Sequence, residues 1–387
     1  MNEEENRSGL KKQIIKWGIG IILPVLIISG LYGFQSFLKY YPDLAEAYSR
    51  TLFRWLTYVP MKLTSLIPIS LTEVFVVTGV LSSPLLLAWF IIRMVRALKK
   101  KEGRKFFFTK GRILAWGLCI VYFIFMLFHG INYMRKPLDQ TLFFGQENYS
   151  VEELGEVYIW VLYQINETRE VCCEDENGVL AYPGGLRAFW NDAQKYYKES
   201  AVLFPTLQGN IGRPKPVALS HYWSYTDIVG IYDPLLAECN INKDTPFTET
   251  CSSAFHEMTH LNGYAVENNA NLASLLLRMQ SSCPEIRYTG FYDALPLIED
   301  DLYKALGGDV GVIRQILAQI PLCDGLFRDV QAYDDYWKSI NPPPIVKEVS
   351  NNVNDSFLKA NQQEEGVKSY HMMPSVVADY YFKYVKE

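Results

Sequence analysis

Two histidines and a glutamate stand at a spacing that suits metal-assisted hydrolysis. His256, Glu257 and His260 form the motif H-E-x-x-H. Residues four apart on a helix project from one face, so the two imidazoles can bind the same zinc ion. Glu257 would lie beside that ion and take a proton from a zinc-bound water, whose pKa the metal lowers toward about 7. The motif predicts a zinc site that hydrolyses amide bonds; the alternative is a helix with two ordinary histidines.

A zinc ion needs a third protein ligand, and Glu267 is the nearest suitable candidate. On one straight helix, Glu267 would lie about 10 Å along the axis from His260 and about 16 Å from His256. The chain must therefore bend, and Gly263 after Asn262 is the natural end of the first helix. A second helix beginning near Glu267 would bring the carboxylate back to the metal. The other interpretation is an acidic residue stabilised by the dipole of its own helix.

Four further side chains are candidates for supporting roles. Asn271 follows Glu267 by four residues on the same helical face and could hydrogen-bond a metal ligand. Glu238 is an alternative third ligand or a substrate-binding carboxylate, unless it is an exposed loop acid. Tyr370 and His371 are candidates for stabilising the oxyanion of a tetrahedral intermediate. Their ordinary interpretation is a core tyrosine beside a surface histidine.

Three apolar runs in the first third of the chain predict a membrane region. They cover about residues 14–38, 71–92 and 113–134. Each has about 20 residues or more, enough for a helix to cross a hydrocarbon core about 30 Å thick. Buried globular helices, or a cleaved signal peptide for the first run, are the alternatives. We predict three transmembrane helices within residues 1–136, in contact with the lipid bilayer, and a separate domain over residues 137–387. His129, near the outer end of the third run, is a weaker functional candidate.

The basic residues predict the orientation of these helices. Nine lysines and arginines lie between Arg93 and Arg112, whereas the longer segment between the first two runs has four. By the positive-inside rule, the 93–112 segment is cytoplasmic. The N-terminus is then also cytoplasmic, and the domain after the third run lies outside the cytoplasm. The sequence predicts a multi-pass protein of the cell membrane with an extracytoplasmic C-terminal domain.

Composition limits the remaining classes. The 387 residues carry a formal net charge of −5, so a nucleic-acid partner is not expected. Six of the seven cysteines follow the third apolar run. An even number in an exported domain is compatible with disulfides, but small buried hydrophobic residues are an equal alternative.

The sequence predicts that the C-terminal part is α+β and mostly helical. Apolar periodicity predicts helices over about 151–172 and 185–201, and further helices after residue 250. Residues 214–242 are rich in β-branched and aromatic residues and predict one or two strands. A proline-rich break at 341–346 precedes the last segment.

The motifs resemble two known groups of proteins. H-E-x-x-H followed by Glu267-Asn-Asn-Ala270-Asn271 is similar to the gluzincin pattern of zinc peptidases. More closely, the chain resembles a bacterial family of membrane-anchored HExxH proteins of unknown function, through the segments GIYDPLLAECNIN, HEMTHLNGYAVENNANLAS, RYTGFYDAL and VNDSFLKANQQEEGVKSY. The resemblance implies a zincin-like metallopeptidase domain with bound Zn²⁺ and a peptide or protein substrate that it does not identify. Asn269 stands where such proteins usually carry a glutamate.

The sequence favours a membrane-tethered zinc metalloendopeptidase with Glu257 as general base over three other functions. An intramembrane protease needs the motif inside a long apolar helix, and the sequences flanking His256 and His260 are too polar for that. A catalytically inactive zinc-binding sensor or binding protein is favoured by Asn269. A membrane structural protein without metal is the last alternative.

Overall fold

The computed structural model describes residues 15–145, 148–361 and 375–386, and most of these residues are helical. The first third contains α1 (Ile15–Leu38, including a π-helical turn at Gly18–Ile22), α2 (Pro42–Tyr48), α3 (Arg54–Ser65), α4 (Leu71–Lys99) and α5 (Gly103–Phe128). Helices α1, α4 and α5 are long and apolar enough to cross a membrane. Their apolar side chains are largely exposed, and none of the most apolar stretch of α4 is buried. Such surfaces are suited to lipid.

The helices extend beyond the apolar runs that predicted them. Helix α4 continues to Lys99 and α5 begins at Gly103, so most of the basic 93–112 segment is helical. Lysine and arginine are good helix formers, so hydropathy marks the apolar part of a helix and not its end. In contrast, α5 ends at Phe128, six residues before the predicted end, and a 3₁₀ turn at Gly130–Met134 follows.

One end of each of the three apolar helices lies on the same side of the molecule, and the C-terminal part lies on that side too. The Gln35 side chain at the end of α1 donates to the Gly130 carbonyl just beyond α5, at 2.8 Å. The Tyr48 hydroxyl donates to the Leu127 carbonyl. Ser70, which caps the start of α4, lies 2.6 Å from Asn240 in the C-terminal part. The short turn between α4 and α5 is therefore at the opposite end of these helices.

The C-terminal part is mostly helical around a small sheet. Its helices are α6 (Leu138–Leu142), α7 (Val151–Glu170), α8 (Gly185–Ser200), α9 (Ser220–Ser224), α10 (Phe247–Leu261), α11 (Glu267–Met279), α12 (Pro284–Ala305), α13 (Gly311–Gln319), α14 (Asp324–Ser339), α15 (Pro344–Ala360) and α16 (Val376–Tyr384). The helices predicted over 151–172 and 185–201 are present as α7 and α8. Ser150 and Glu153 form a capping box that fixes the start of α7.

The sheet has three strands where the sequence predicted one or two. They are β1 (Pro214–Val217), β2 (Gly230–Asp233) and β3 (Glu238–Asn242), in the order β1-β3-β2. The central strand β3 is parallel to β1 and antiparallel to β2. All of β3 is buried. Alternate residues of a strand point to opposite faces, so Cys239 and Ile241 join the hydrophobic core while the polar residues of β3 face away.

The start of α4 covers the polar face of β3. Thr72 donates from its backbone N–H and its hydroxyl to Glu238 Oε2, both at 2.8 Å. The Ser70 hydroxyl bonds to Asn240. Lys215 of β1 forms a buried ion pair with Glu238. A polar network thus joins the second apolar helix to the sheet.

The main hydrophobic core lies among α7, α10, α11 and α12. The same core contains Met61 of α3 and residues that follow α5, such as Leu138 and Val157. The core therefore includes residues from both sides of the predicted boundary between 136 and 137. All seven cysteines lie within the described residues and are unpaired thiols, with Cys239, Cys251 and Cys283 buried in this core.

Candidate metal centre

Helix α10 presents both histidines of the HExxH motif on one face. The imidazole rings of His256 and His260 lie 4.6 Å apart, centroid to centroid, and are nearly perpendicular. Their side chains are 13% and 7% exposed, so solvent reaches them only narrowly. The spacing of one helical turn brings them together, as the sequence predicts.

A sharp turn after α10 returns the chain to the histidines. Helix α10 ends at Leu261, Gly263 has a φ of +89°, and α11 begins at Glu267. A Cβ at position 263 would also come within 2.5 Å of the Ser49 hydroxyl. Glycine satisfies both the left-handed backbone and the close approach. The predicted bend and the predicted start of the second helix are both confirmed.

The turn places the carboxylate of Glu267 between the two imidazoles. Its Oε2 lies 3.0 Å from Nε2 of His256 and 3.4 Å from Nε2 of His260. One donor atom from each of these three side chains lies within 4.8 Å of the others. Within the described ranges, they form the one group of three or more such side chains close enough to hold a metal ion.

Hydrogen bonds on the far side of each ring orient the two imidazoles. Nδ1 of His256 lies 2.7 Å from Oδ1 of Asn271, and Nδ1 of His260 lies 2.7 Å from the Tyr264 carbonyl. A carbonyl oxygen only accepts, so each Nδ1 carries a proton. In the neutral tautomer, each Nε2 then presents its lone pair toward Glu267. Such contacts fix the tautomer and orientation of metal-binding histidines.

The donor set fits a divalent zinc ion. Two imidazole nitrogens and one carboxylate are a ligand set that catalytic zinc sites use. Two neutral Nε2 lone pairs directed at a carboxylate repel it unless a proton or a metal ion supplies positive charge between them. The electrostatics of the cluster agree with this requirement. Burial lowers the pKa of His260, but Glu267 outweighs burial and raises that pKa to about 9. Burial raises the pKa of Glu267, but His260 and His256 outweigh it and hold the pKa well below its usual range.

Glu257 lies buried beside this cluster, under the edge strand β2. A Cβ at Gly230 would come within 2.6 Å of Glu257 Oε1, so the backbone of β2 passes close to the carboxylate. Burial raises the pKa of Glu257, and the charges of His256 and His260 together with a backbone hydrogen bond from Tyr232 partly offset that rise. A carboxylate with a raised pKa, next to side chains that could hold a metal ion, is suited to accept a proton.

His129 packs directly against the candidate centre. Its ring, one residue beyond the end of α5, is 6.2 Å from the His260 ring and 5.8 Å from the Tyr232 ring. The side chain is buried. The sequence indicates only a weak functional role for His129. Its place near the end of an apolar run does not show that it contacts His260, which lies 131 positions further along the chain.

Another candidate, Glu238, has structural partners other than the histidines. Glu238 lies on β3, where Lys215 and Thr72 bind its carboxylate, and it does not join His256, His260 and Glu267. Tyr370 and His371 lie outside the described residues, so their predicted role in stabilising an oxyanion stays a prediction.

Asn269, the departure from the family pattern, also has a structural contact. Its Oδ1 accepts a hydrogen bond from the Leu138 backbone N–H at 3.0 Å. Asn269 thereby ties α11 to the chain that follows α5. Position 269 faces that connection, whereas Glu267 and Asn271 face the histidines.

A buried ion pair that the sequence does not reveal holds the turn between α10 and α11. Arg135 bonds to Glu46 at 2.7 and 3.2 Å and to the Asn262 carbonyl at 3.3 Å. Its guanidinium also stacks on the Tyr264 ring at 3.6 Å. Glu46 lies on α2, between the apolar helices α1 and α4 in the chain, so the segment that connects these helices holds the turn that carries Tyr264. No local pattern links residues 89 positions apart.

The fold and the centre define a class: a protein with three potential membrane-spanning helices and an HExxH cluster held at their shared end. A family model described as "Protein of unknown function (DUF3810)" matches residues 48–378, and the chain belongs to that family. The matched region includes α4, α5 and every residue of the candidate centre. A search of curated proteins and a search of solved structures each find no match.

Proposed function

We propose that this protein is a membrane-tethered zinc metallopeptidase that hydrolyses peptide bonds outside the cytoplasm. The observation that carries the proposal is the convergence of two Nε2 atoms and Glu267 Oε2, with both Nδ1 atoms held by acceptors. His256, His260 and Glu267 would hold the metal. When bound there, zinc supplies Lewis-acid chemistry that polarises a carbonyl and makes a water molecule more acidic.

Residues around the cluster support the hydrolytic step. Glu257 accepts a proton from the attacking water and returns it to the leaving amine, a role that its raised pKa favours. Asn271 and the Tyr264 carbonyl hold the ring orientations of the two histidines. Residues that exclude water, including His129 and Tyr232, pack on His260.

The strand β2 suits the binding of an extended peptide. It is an edge strand of the three-stranded sheet, and it runs beside Glu257. An extended peptide can add to such an edge through backbone hydrogen bonds, with little dependence on side chains. A substrate added there would pass next to the general base.

The proposed location outside the cytoplasm follows from two features. Nine basic residues lie between Arg93 and Arg112, and the turn between α4 and α5 is at the end of the helices opposite the candidate centre. Basic segments favour the cytoplasm. In intact cells, a protease added outside should cleave the C-terminal part, and cleavage only after lysis would contradict the orientation.

Zinc content and peptidase activity of the full-length protein test the function. The wild type should contain about one zinc per chain, as a single three-ligand site requires. The Glu257→Gln variant keeps a side chain of similar size and should keep its zinc while losing peptidase activity by about 100-fold or more. Activity in that variant equal to wild type would contradict the role of Glu257.

The same comparison distinguishes the second candidate function, a catalytically inactive zinc-binding sensor or binding protein. The deep burial of Glu257, at 6% exposure, is the observation that favours it, because a general base must reach the attacking water. Stoichiometric zinc in a wild type that cleaves no peptide would support this alternative. A wild type that neither contains nor binds zinc would contradict both functions.

A further inference from the structure

The segment between the first two apolar helices has a strongly apolar exposed face. The side chains of this face, at the end of the turn before α3, along α3 and just after it, are Leu52, Trp55, Val59, Leu63 and Leu66. Trp55 is 80% exposed and Leu66 is 79% exposed. We call these five residues the α3 apolar face. Their spacing of three or four residues places them along one side of a helix.

The opposite side of α3 packs on the C-terminal part. Phe53, Thr57 and Met61 are buried. The Asn210 side chain bonds to Thr57 Oγ1 at 3.0 Å, and the Ser65 hydroxyl accepts from the Arg213 N–H at 3.4 Å. The helix is therefore fixed to the protein by one side, and the α3 apolar face points away from the core.

The position of α3 in the chain restricts what can cover this face. The helix follows α1, which ends at Leu38, and precedes α4, which begins at Leu71. The ends of both lie on the side of the candidate centre, so α3 is held near the level where they leave the apolar region. Its 12 residues extend only about 18 Å, too short to cross a core of about 30 Å.

The residue types on and beside the face match a membrane interface. Large contiguous apolar patches are uncommon on soluble monomers. Tryptophan and tyrosine concentrate at the boundary between headgroups and acyl chains, and α3 carries Trp55 and the 51%-exposed Tyr58. The Lys62 ammonium lies over the Tyr58 ring, 5.7 Å from its centroid, where a cation can reach lipid phosphates.

We propose that α3 is an interfacial helix, with the α3 apolar face inserted into the leaflet of the bilayer on the side of the candidate metal centre. The occupant is lipid because the segment is continuous at both ends with helices suited to the same bilayer. Such a helix buries its apolar face about 5–10 Å into the boundary between headgroups and acyl chains. Through Ser49 and Phe53, the same segment contacts Gly263, so the turn of the candidate metal centre is held at the membrane surface. This proposal depends neither on bound metal nor on peptidase activity.

Fluorescence quenching of the full-length protein in phosphatidylcholine vesicles tests the proposal. Wild type is compared with Trp55→Phe, so that the difference in emission belongs to Trp55. Phenylalanine keeps the site apolar, and the high exposure of Trp55 makes the substitution compatible with folding. The two quenchers are aqueous iodide and phosphatidylcholine brominated in the upper part of its acyl chains. Trp89→Phe serves as the control for a lipid-facing residue of α4, and Trp190→Phe as the control for a residue buried in the core.

We expect the brominated lipid to reduce Trp55 emission about twofold or more, with little effect of iodide, because an interfacial tryptophan lies within reach of the upper acyl chain. Quenching by iodide alone would place Trp55 in water and overturn the proposal. Quenching by neither agent, as expected for Trp190, would show a face covered by protein, such as a second copy of the chain, and would also overturn it.

Discussion

Two glutamates with little exposure, the buried Glu238 and the 13%-exposed Glu267, lie in opposite electrostatic settings. Glu238 meets the ammonium of Lys215 and the hydroxyl of Thr72, so its charge is already neutralised within the protein. Glu267 meets two imidazole nitrogens whose other nitrogens are held by acceptors. The first arrangement is complete with the lysine charge, whereas the second needs a positive charge, which a proton on an imidazole or a bound metal ion can supply. A buried carboxylate therefore indicates a metal ligand only when the side chains around it can also donate electron pairs to a metal.

The largest expected effect is the loss of zinc when a residue of the candidate metal centre is replaced. His256→Ala removes one of three protein ligands, so the full-length variant should retain almost none of the approximately one zinc per chain expected for the wild type. Elemental analysis of the purified protein measures this. Glu267→Ala should weaken binding in the same direction, and Glu238→Ala is the matched control that should keep its zinc. Zinc lost from Glu238→Ala but kept by Glu267→Ala would reverse the assignment of the two glutamates.

Substitution of Glu238 should lower the stability of the protein and leave its zinc content unchanged. Glu238→Ala leaves the Lys215 ammonium buried without its partner, which should cost about 3–5 kcal/mol of unfolding free energy. Thermal unfolding of the full-length protein provides the measurement.

A double substitution sharpens this second prediction. Replacing both partners, with Lys215→Met and Glu238→Leu, removes the charges together and should recover much of the lost stability. If the double variant is as unstable as Glu238→Ala, the unpaired lysine is not the cause of the loss.

A smaller effect separates two neighbouring asparagines. Asn271→Ala removes the acceptor at His256 Nδ1 and should weaken zinc binding about 10- to 100-fold, the usual effect of losing such a partner. Asn269→Ala removes the acceptor of the Leu138 N–H and should lower stability by about 1–3 kcal/mol, with zinc affinity unchanged. Competition with a chromogenic chelator measures the affinities. Equal affinities for the two variants would contradict the distinct roles that their contacts indicate.

The smallest expected effect is the pH dependence of zinc binding. If zinc displaces one proton, its affinity changes about tenfold per pH unit. In the metal-free protein, the pKa of His260 is raised to about 9 from an ordinary value of 6.5. Protonated His260 therefore stabilises the fold fully below about pH 6.5, and this contribution is lost as pH rises through about 9. Zinc must displace the proton, so zinc affinity should increase over the same range. Thermal unfolding and chelator competition from pH 6 to 9 measure both trends; a metal-free protein that becomes more stable toward pH 9 would contradict this account of the His260–Glu267 pair.

The local features of the fold and of the centre were predictable from the sequence. The turn at Gly263 and the start of α11 at Glu267 follow from residue types a few positions apart, because helical periodicity and glycine conformation are local properties. The existence of three apolar helices was predictable for the same reason. Their ends were not, because the basic residues after the second apolar run continue the helix to Lys99.

The sequence by itself determined which residues of α10 and α11 could bind a metal and which helices could enter a membrane. The tertiary structure decided what surrounds them. It joins Glu238 to Thr72 across 166 positions, Arg135 to Glu46 across 89, and places His129 against His260. It also fixes the turn at Ser49–Phe53, just before α3, against the turn at Gly263. Such contacts depend on how distant elements pack, and a single sequence carries no periodic or spacing signal for them.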